Sequence, residues 1–193
     1  MGECRVRVVA GRWGGRRIAA PDGRDTRPTS DRVREGIFST VYSIIGSLEG
    51  HTVLDLYAGS GALGIEALSR GAAHVVFVES GSSALRAIAA NLEALGADHA
   101  SFSVVRSRVE ALSSAALGGR RASLLLADPP YRIDAAEFSQ VLEGLGGGGA
   151  LEDNTLAVYE HAALSQAMWP SGFREVRSRR YGDTAVSFAL YEP

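Results

Sequence analysis

Apolar and polar positions follow two rhythms along this chain, and the change falls near His51. Beyond it, short runs of nearly continuous apolar residues at 52–56, 73–78, 101–105, 123–127, 155–160 and 185–191 predict strands. Between them, stretches rich in Ala and Leu predict helices near 62–70, 81–95, 135–145 and 162–168. A strand that is apolar on both faces and separated from the next by a helix belongs in a parallel sheet covered on two sides, so the pattern predicts an open, doubly wound α/β architecture. Residues 173–191 hold two strand-like halves with no helix between them, which predicts an antiparallel hairpin at the end of that sheet. Gly144 and Gly146 to Gly149 punctuate the chain and predict a helix terminus followed by a loop.

Before His51 the pattern is different. Two short strand signals, 5–9 and 16–19, flank Gly11-Arg12-Trp13-Gly14-Gly15 and predict a glycine-rich hairpin. Pro21 and Gly23 then break the chain. Ser30 and Asp31 supply capping oxygens ahead of Val33, Ile37, Val41, Ile44 and Ile45, whose spacing predicts a helix over about 30–47. The resulting division is a small hairpin extension over 1–24 and one domain over 25–193.

The chain has 193 residues, 46% of them apolar, enough for one sizeable core. No run of about 18 apolar residues and no apolar leader is present, so a soluble, cytoplasmic protein without membrane contact is expected. Cys4 is the single cysteine, and His51, His74, His99 and His161 are scattered without ligand spacing, so no metal site is expected. Monomer is the default expectation. The formal net charge of −2 conceals an asymmetry: residues 1–40 carry nine Arg against five acids, and all twenty basic residues of the chain are Arg. An Arg fork suits phosphates and stacks on bases, so Arg5, Arg7, Arg12, Arg16 and Arg17 on the hairpin are candidate RNA contacts.

Candidate chemistry sits at two strand ends. The sequence from Val53 to Gly64 places Gly59, Gly61 and Gly64 in a G-x-G-x-x-G spacing between a strand and a helix, where backbone can approach a ligand closely. Asp55, four positions before Gly59, puts a carboxylate where a dinucleotide pyrophosphate would be repelled, and it suits a ligand carrying an ammonium and a sulfonium. The bland alternative is a carboxylate that caps nearby loop amides. Glu79, twenty residues after Gly59 at the end of the next strand, is placed to accept hydrogen bonds from ribose hydroxyls, with Ser80 beside it.

The strand at 123–127 leads into Asp128-Pro129-Pro130-Tyr131. The carboxyl ends of strands line the crevice of an open sheet, so this tetrapeptide is expected to face the glycine loop. An exocyclic amine of a base is a poor nucleophile because its lone pair is delocalised into the ring. Two acceptors for its hydrogens, the Asp128 carboxylate and a Pro129 carbonyl held in a stiff turn, would localise that pair. Tyr131 can stack on the base. Rate would come from positioning, with no activated protein nucleophile.

With these residues the chain resembles the Rossmann-like class I methyltransferases, and more narrowly the bacterial RsmD type that methylates guanine N2 in 16S ribosomal RNA. The resemblance rests on the hairpin with Gly11 and Gly15, the segment from Arg27 to Glu35, the segment from Asp55 to Gly61, Glu79, and Asp128 to Tyr131. It implies a mostly parallel seven-stranded sheet with an antiparallel last strand and S-adenosyl-L-methionine as cofactor. It also implies 16S rRNA or the assembling 30S subunit as partner, with position 966 as the target. It places Asp55, Tyr57, Gly59, Gly61, Glu79 and Ser80 in the cofactor pocket, Arg27 and Thr29 over the methionine end with Arg34 beside them, and Asp128 and Tyr131 on the guanine. Where such enzymes offer a polar or acidic side chain to adenine, this chain has Ser107-Arg108-Val109, so backbone at Arg108 and Val109 is the expected adenine contact. The alternatives are a DNA or protein-glutamine amino methyltransferase, a dinucleotide-dependent oxidoreductase, and a silent RNA-binding module on the same fold.

Overall fold

The computed structural model describes residues 5–20, 30–130 and 132–193. Along them run β1 (Arg5–Arg7), β2 (Arg17–Ala19), α1 (Asp31–Ile45), β3 (Thr52–Leu56), α2 (Ala62–Ser69), β4 (His74–Glu79), α3 (Ser82–Leu95), β5 (Phe102–Arg106), β6 (Ala122–Ala127), α4 (Ala135–Gly147), β7 (Leu151–Ala162), β8 (Phe173–Tyr181) and β9 (Thr184–Tyr191). Short 3-10 turns at Val109–Ala111 and Ser114–Leu117 fill the connection from β5 to β6.

One seven-stranded sheet in the order β5-β4-β3-β6-β7-β9-β8 organises the molecule. The first five of these strands are mutually parallel, and β9 inserts antiparallel between β7 and β8. The chain leaves β3 toward β4 and β5, then returns to β6 on the other side of β3. The strand order therefore reverses between β3 and β6, and a crevice opens beyond their carboxyl ends.

Strand residues alternate between two cores as the pleat requires. Val53, Val75, Phe77, Leu124 and Leu126 point toward α1, α2 and α3, whereas Leu54, Leu56, Val76, Val78 and Leu125 point toward Phe138, Leu142 and Leu145 of α4. Caps set the helix starts: Ser30 accepts the Val33 amide at 3.3 Å to open α1, and Asp134 with Glu137 forms a reciprocal capping box at α4.

The hairpin β1–β2 shares the first of these cores through Val6, Val8, Trp13 and Ile18, all buried. Each is worth about 1.5–3 kcal/mol before the cost of ordering it. Polar clamps hold the rest. Glu66 of α2, fully buried, accepts the Val9 and Ala10 amides at 2.6 and 2.9 Å and the Arg70 Nε at 2.6 Å. Ser69 takes the Trp13 amide at 3.0 Å, and Asn91 of α3 both donates to and accepts from Ala19 at 2.9 and 2.8 Å. A Cβ at Gly11, whose φ is +82°, would lie 1.9 Å from the Ser69 carbonyl oxygen, so this turn can dock only without a side chain.

Two expectations fail here. No helix covers 162–168: β7 runs on to Ala162, the Ala163 amide bonds to the Asp183 carbonyl at 2.8 Å, and a turn leads through to Pro170. Only ten residues separate β7 from β8, and Leu164, which the helical reading would bury, is 94% exposed. In addition β7 begins at Leu151, four residues earlier than its apolar run, because the exposed Glu152-Asp153-Asn154 stretch with Asn154 at φ +64° bridges an irregularity in its pairing with β6.

Candidate functional site

Beyond β3 the chain turns sharply at Tyr57, a non-glycine residue at φ +57°, and then through Gly59 and Gly61 into α2. The Asp55 carboxylate, only 1% exposed, accepts the Gly64 amide at 2.9 Å and so tethers the first turn of α2 to β3. Gly64 permits this: a Cβ there would meet the Phe77 ring at 2.4 Å and the Asp55 carboxylate at 2.8 Å. The capping alternative for Asp55 is therefore realised. Burial pushes its pKa up to about 8, the charges of Asp128 and Glu79 push the same way, and the Gly64 amide pulls it back.

Glu79 reaches across from β4. One carboxylate oxygen accepts the Gly59 amide at 2.9 Å, and the other accepts the Ser80 and Gly81 amides, each at 2.7 Å. A carboxylate has about four acceptor positions. Three are thus taken by backbone, so the side chain is locked in place with one position left toward the crevice, fewer than the two ribose hydroxyls expected of it. Asn91 adds a further restraint by donating to the Ser60 carbonyl at 3.0 Å, which links the glycine loop to β2 through one side chain.

A cleft at this edge is lined by Tyr57, Val78, Glu79, Ser80, Ser107, Arg108, Val109, Glu110 and Arg132. Five residues singled out in the sequence, Tyr57, Glu79, Ser80, Arg108 and Val109, thus meet in one concavity. Glu110 and Arg132 were missed. Glu110 accepts the Tyr57 hydroxyl at 3.3 Å and Arg108 Nε at 3.3 Å. Partial burial opposes its ionisation, but a backbone hydrogen bond, Arg108 and Tyr57 prevail and hold its carboxyl below the usual range. Burial and the Glu110 charge together raise the Tyr57 phenol. This acidic side chain sits two residues beyond Arg108, on a 3-10 turn that no periodicity announces. An adjoining groove, lined by Ile133, Glu137, Gln140 and Val141 among others, continues along α4.

Asp128 and Pro129 follow directly on β6, the neighbour of β3, and both are partly buried. Asp128 and Glu79 both act electrostatically on Asp55, so three carboxyl groups stand around one glycine loop, and Asp55 is the one that keeps its proton. Glu79 and Asp128 disfavour a pyrophosphate and suit a cation, so the residues present fit a sulfonium cofactor better than a dinucleotide.

The remaining candidates lie elsewhere or outside the described residues. Arg27, Thr29 and Tyr131 are outside them, and for Arg5 only the backbone in β1 is described. Arg7 pairs with Asp31 at 2.6 Å, the Arg12 guanidinium lies 4.1 Å from the centroid of the Trp13 ring, Arg16 donates to the Ala94 carbonyl at 2.6 Å, and Arg17 is exposed on β2. Arg34, expected beside the methionine end, is instead fully buried: it donates to the Arg7 carbonyl and to Asp31, both at 2.7 Å, with Glu66 at 4.0 Å. It ties α1 to the hairpin. No group of three or more potential metal ligands occurs among the described residues, and no helix among them is long and apolar enough to cross a membrane.

Residues 6–190 match the family described as Conserved hypothetical protein 95. The chain is 36% identical over 193 residues to Ribosomal RNA small subunit methyltransferase D of Escherichia coli (strain K12), spanning 99% of this chain and 91% of that one. It is 29% identical over 187 residues, 97% and 93% of the two chains, to the protein of the same name from Haemophilus influenzae. The solved structure of Escherichia coli yhhF superposes with a TM-score of 0.81 at 28% identity, covering 97% of this chain and 98% of that one. At 16% identity the rRNA methyltransferase aviRa of Streptomyces viridochromogenes still superposes with a TM-score of 0.70 over 90% and 89%, which speaks to the fold alone.

Proposed function

The chain belongs to the Conserved hypothetical protein 95 family, the RsmD-type methyltransferases with the Rossmann-like class I fold, and from that premise we propose that it methylates the exocyclic N2 of a guanine in 16S ribosomal RNA, at position 966. Its cofactor is S-adenosylmethionine, and ribosomal RNA of the small subunit, naked or in the assembling particle, is its substrate. The observation that carries the reading is the meeting of two strand ends at one crevice: the acidic glycine loop after β3 and Asp128-Pro129 after the adjacent β6.

When bound, S-adenosylmethionine supplies an electrophilic methyl group on a sulfonium. The chain's own part is to hold the other reactant. Asp128 accepts one N–H of the guanine amine and the Pro129 carbonyl accepts the second, so the nitrogen lone pair turns toward the methyl group. Tyr131 stacks on the base. A base buried in a helix cannot present its amine here, so the target guanine is flipped out. Glu79 takes a ribose hydroxyl, Tyr57, Ser80, Arg108, Val109 and Glu110 surround the adenine end, and Arg27 and Thr29 close over the methionine end. Once methylated, the amine loses its proton to solvent or to Asp128, and no strongly basic side chain is required.

The test is direct. Incubation with labelled cofactor and 30S particles from a strain lacking this protein should place the label on N2 of one guanine of 16S rRNA. Label on an adenine, on DNA or on a glutamine side chain would overturn the reading.

A further inference from the structure

Four of the eleven arginines beyond residue 40 fall within the nine residues of β8, the edge strand of the sheet. Their surroundings change along the strand. At its beginning Arg174 holds Glu192 through two hydrogen bonds of 3.0 and 2.5 Å, and Glu175 accepts the Trp169 indole at 2.7 Å. Toward its end Arg177 donates to Ser43 Oγ and Arg180 to the Gly182 carbonyl, both at 3.0 Å. Arg177, Arg179 and Arg180 are exposed, and among the described residues none of the three has a carboxylate partner.

The sheet register fixes where this uncompensated end lies. Ala127, the last residue of β6, is level with Tyr159, which is level with Ser187, which is level with Ser178. The next row runs Glu160, Val186, Arg179 and the one after it His161, Ala185, Arg180. These are the rows into which the chain carries Asp128 and Pro129 as it leaves β6. Three strand spacings, about 14 Å, separate Arg179 from that exit. The strand's end is also pinned: the Tyr181 hydroxyl lies against Gly36 of α1, where a Cβ would come within 2.2 Å of it. Charge of either sign discourages an edge strand from pairing with another chain. Edge protection therefore does not account for a run of one sign, left without an ion pair only at the end beside the crevice.

We propose that Arg177 and Arg179, on the α1 face of the edge strand, and Arg180, on its other face, form a phosphate-contacting ridge along the exposed sheet edge that grips the RNA strand flanking the target base. The proposal rests on the reading of this chain as an RNA methyltransferase and adds a second contact surface to the hairpin. The ridge and the hairpin touch opposite ends of α1, Arg177 at Ser43 in its last turn and Arg7 at Asp31, its first residue.

Binding of a small-subunit rRNA transcript to the wild type and to the Arg177→Gln/Arg179→Gln/Arg180→Gln variant, followed from 50 to 200 mM salt, decides the matter. Each phosphate contact on a single strand contributes about −0.7 to the slope of log K against log salt. The variant should show a slope shallower by about 2 and an affinity lower by about 100-fold at 0.1 M salt. S-adenosylmethionine affinity within twofold of wild type reports an intact fold. If the triple variant loses that affinity, Arg179→Gln and Arg180→Gln are taken singly, and each should make the slope shallower by about 0.7. Wild-type slope and affinity in variants that still bind the cofactor would overturn the ridge while leaving the RNA reading untouched. A wild-type protein that ignores the transcript and 30S particles alike would sink both.

Discussion

Asp55 and Gly64 are joined by a 2.9 Å hydrogen bond in which the acceptor is a carboxyl group almost wholly removed from water. The bond holds the glycine loop closed against β3, and the burial it needs sets the titration of the acid. With its pKa raised to about 8, Asp55 keeps a proton in the folded chain that the unfolded chain releases near pH 4. Its contribution to stability is therefore fully present below about pH 4 and is lost as pH rises through about 8. Asp55→Asn, which has no proton to lose, should gain melting temperature relative to the wild type as pH goes from 5 to 9. A constant difference between the two across that range would show that Asp55 titrates normally.

Glu79 organises three backbone amides at the cleft, those of Gly59, Ser80 and Gly81. Glu79→Gln puts an amide NH2 against at least one backbone N–H and removes the charge. Hydrogen bonds to a charged group are worth about 1.5–3 kcal/mol, so S-adenosylmethionine affinity should fall roughly 10- to 100-fold by titration calorimetry. Affinity within twofold of wild type would remove Glu79 from the pocket.

Asp128→Ala separates binding from chemistry. The variant should keep its cofactor affinity, because Asp128 is assigned to the amine, while methyl transfer to 30S particles drops by at least 100-fold in kcat. Activity comparable to wild type would strip Asp128 of that role.

Glu66 sits fully buried between Arg34 and Arg70 and carries two amides of the hairpin. Removing one member of a buried ionic cluster costs about 3–5 kcal/mol. Glu66→Ala should lower the melting temperature by about 10 °C and open the hairpin to proteases before the rest of the chain. Loss of less than 1 kcal/mol would mean that the apolar contacts of Val6, Val8, Trp13 and Ile18 suffice to dock it.

Most of the sheet could be anticipated because β3, β4 and β6 are buried on both faces, and that environment writes itself into the sequence as unbroken apolar runs. The hairpin's polar anchors could not. Glu66, Ser69 and Asn91 lie 56 to 72 residues from the backbone groups they hold, and nothing in a helical pattern distinguishes an inward polar residue with a distant partner from a solvated one. The helix expected at 162–168 failed for a related reason. Its Ala and Leu content favours a helix locally, yet the pairing of Ala162 with Thr184 keeps the chain extended up to a tight turn. The crevice was legible in its glycines and in Asp128-Pro129-Pro130, whose spacing from strand ends is local. Glu110 was not, because its value comes from contact with Tyr57 across 53 positions.

The long reach of those anchors also sets an order of events during synthesis. Asn91 and Ala94 emerge from the ribosome some 72 to 78 residues after Ala19 and Arg16, which they hold. At 5–20 residues per second, that delay is roughly 4–16 s. For that interval the hairpin has α1 and α2 to lie against but not the clamps of α3, so the nascent ribbon is held more weakly than in the finished fold.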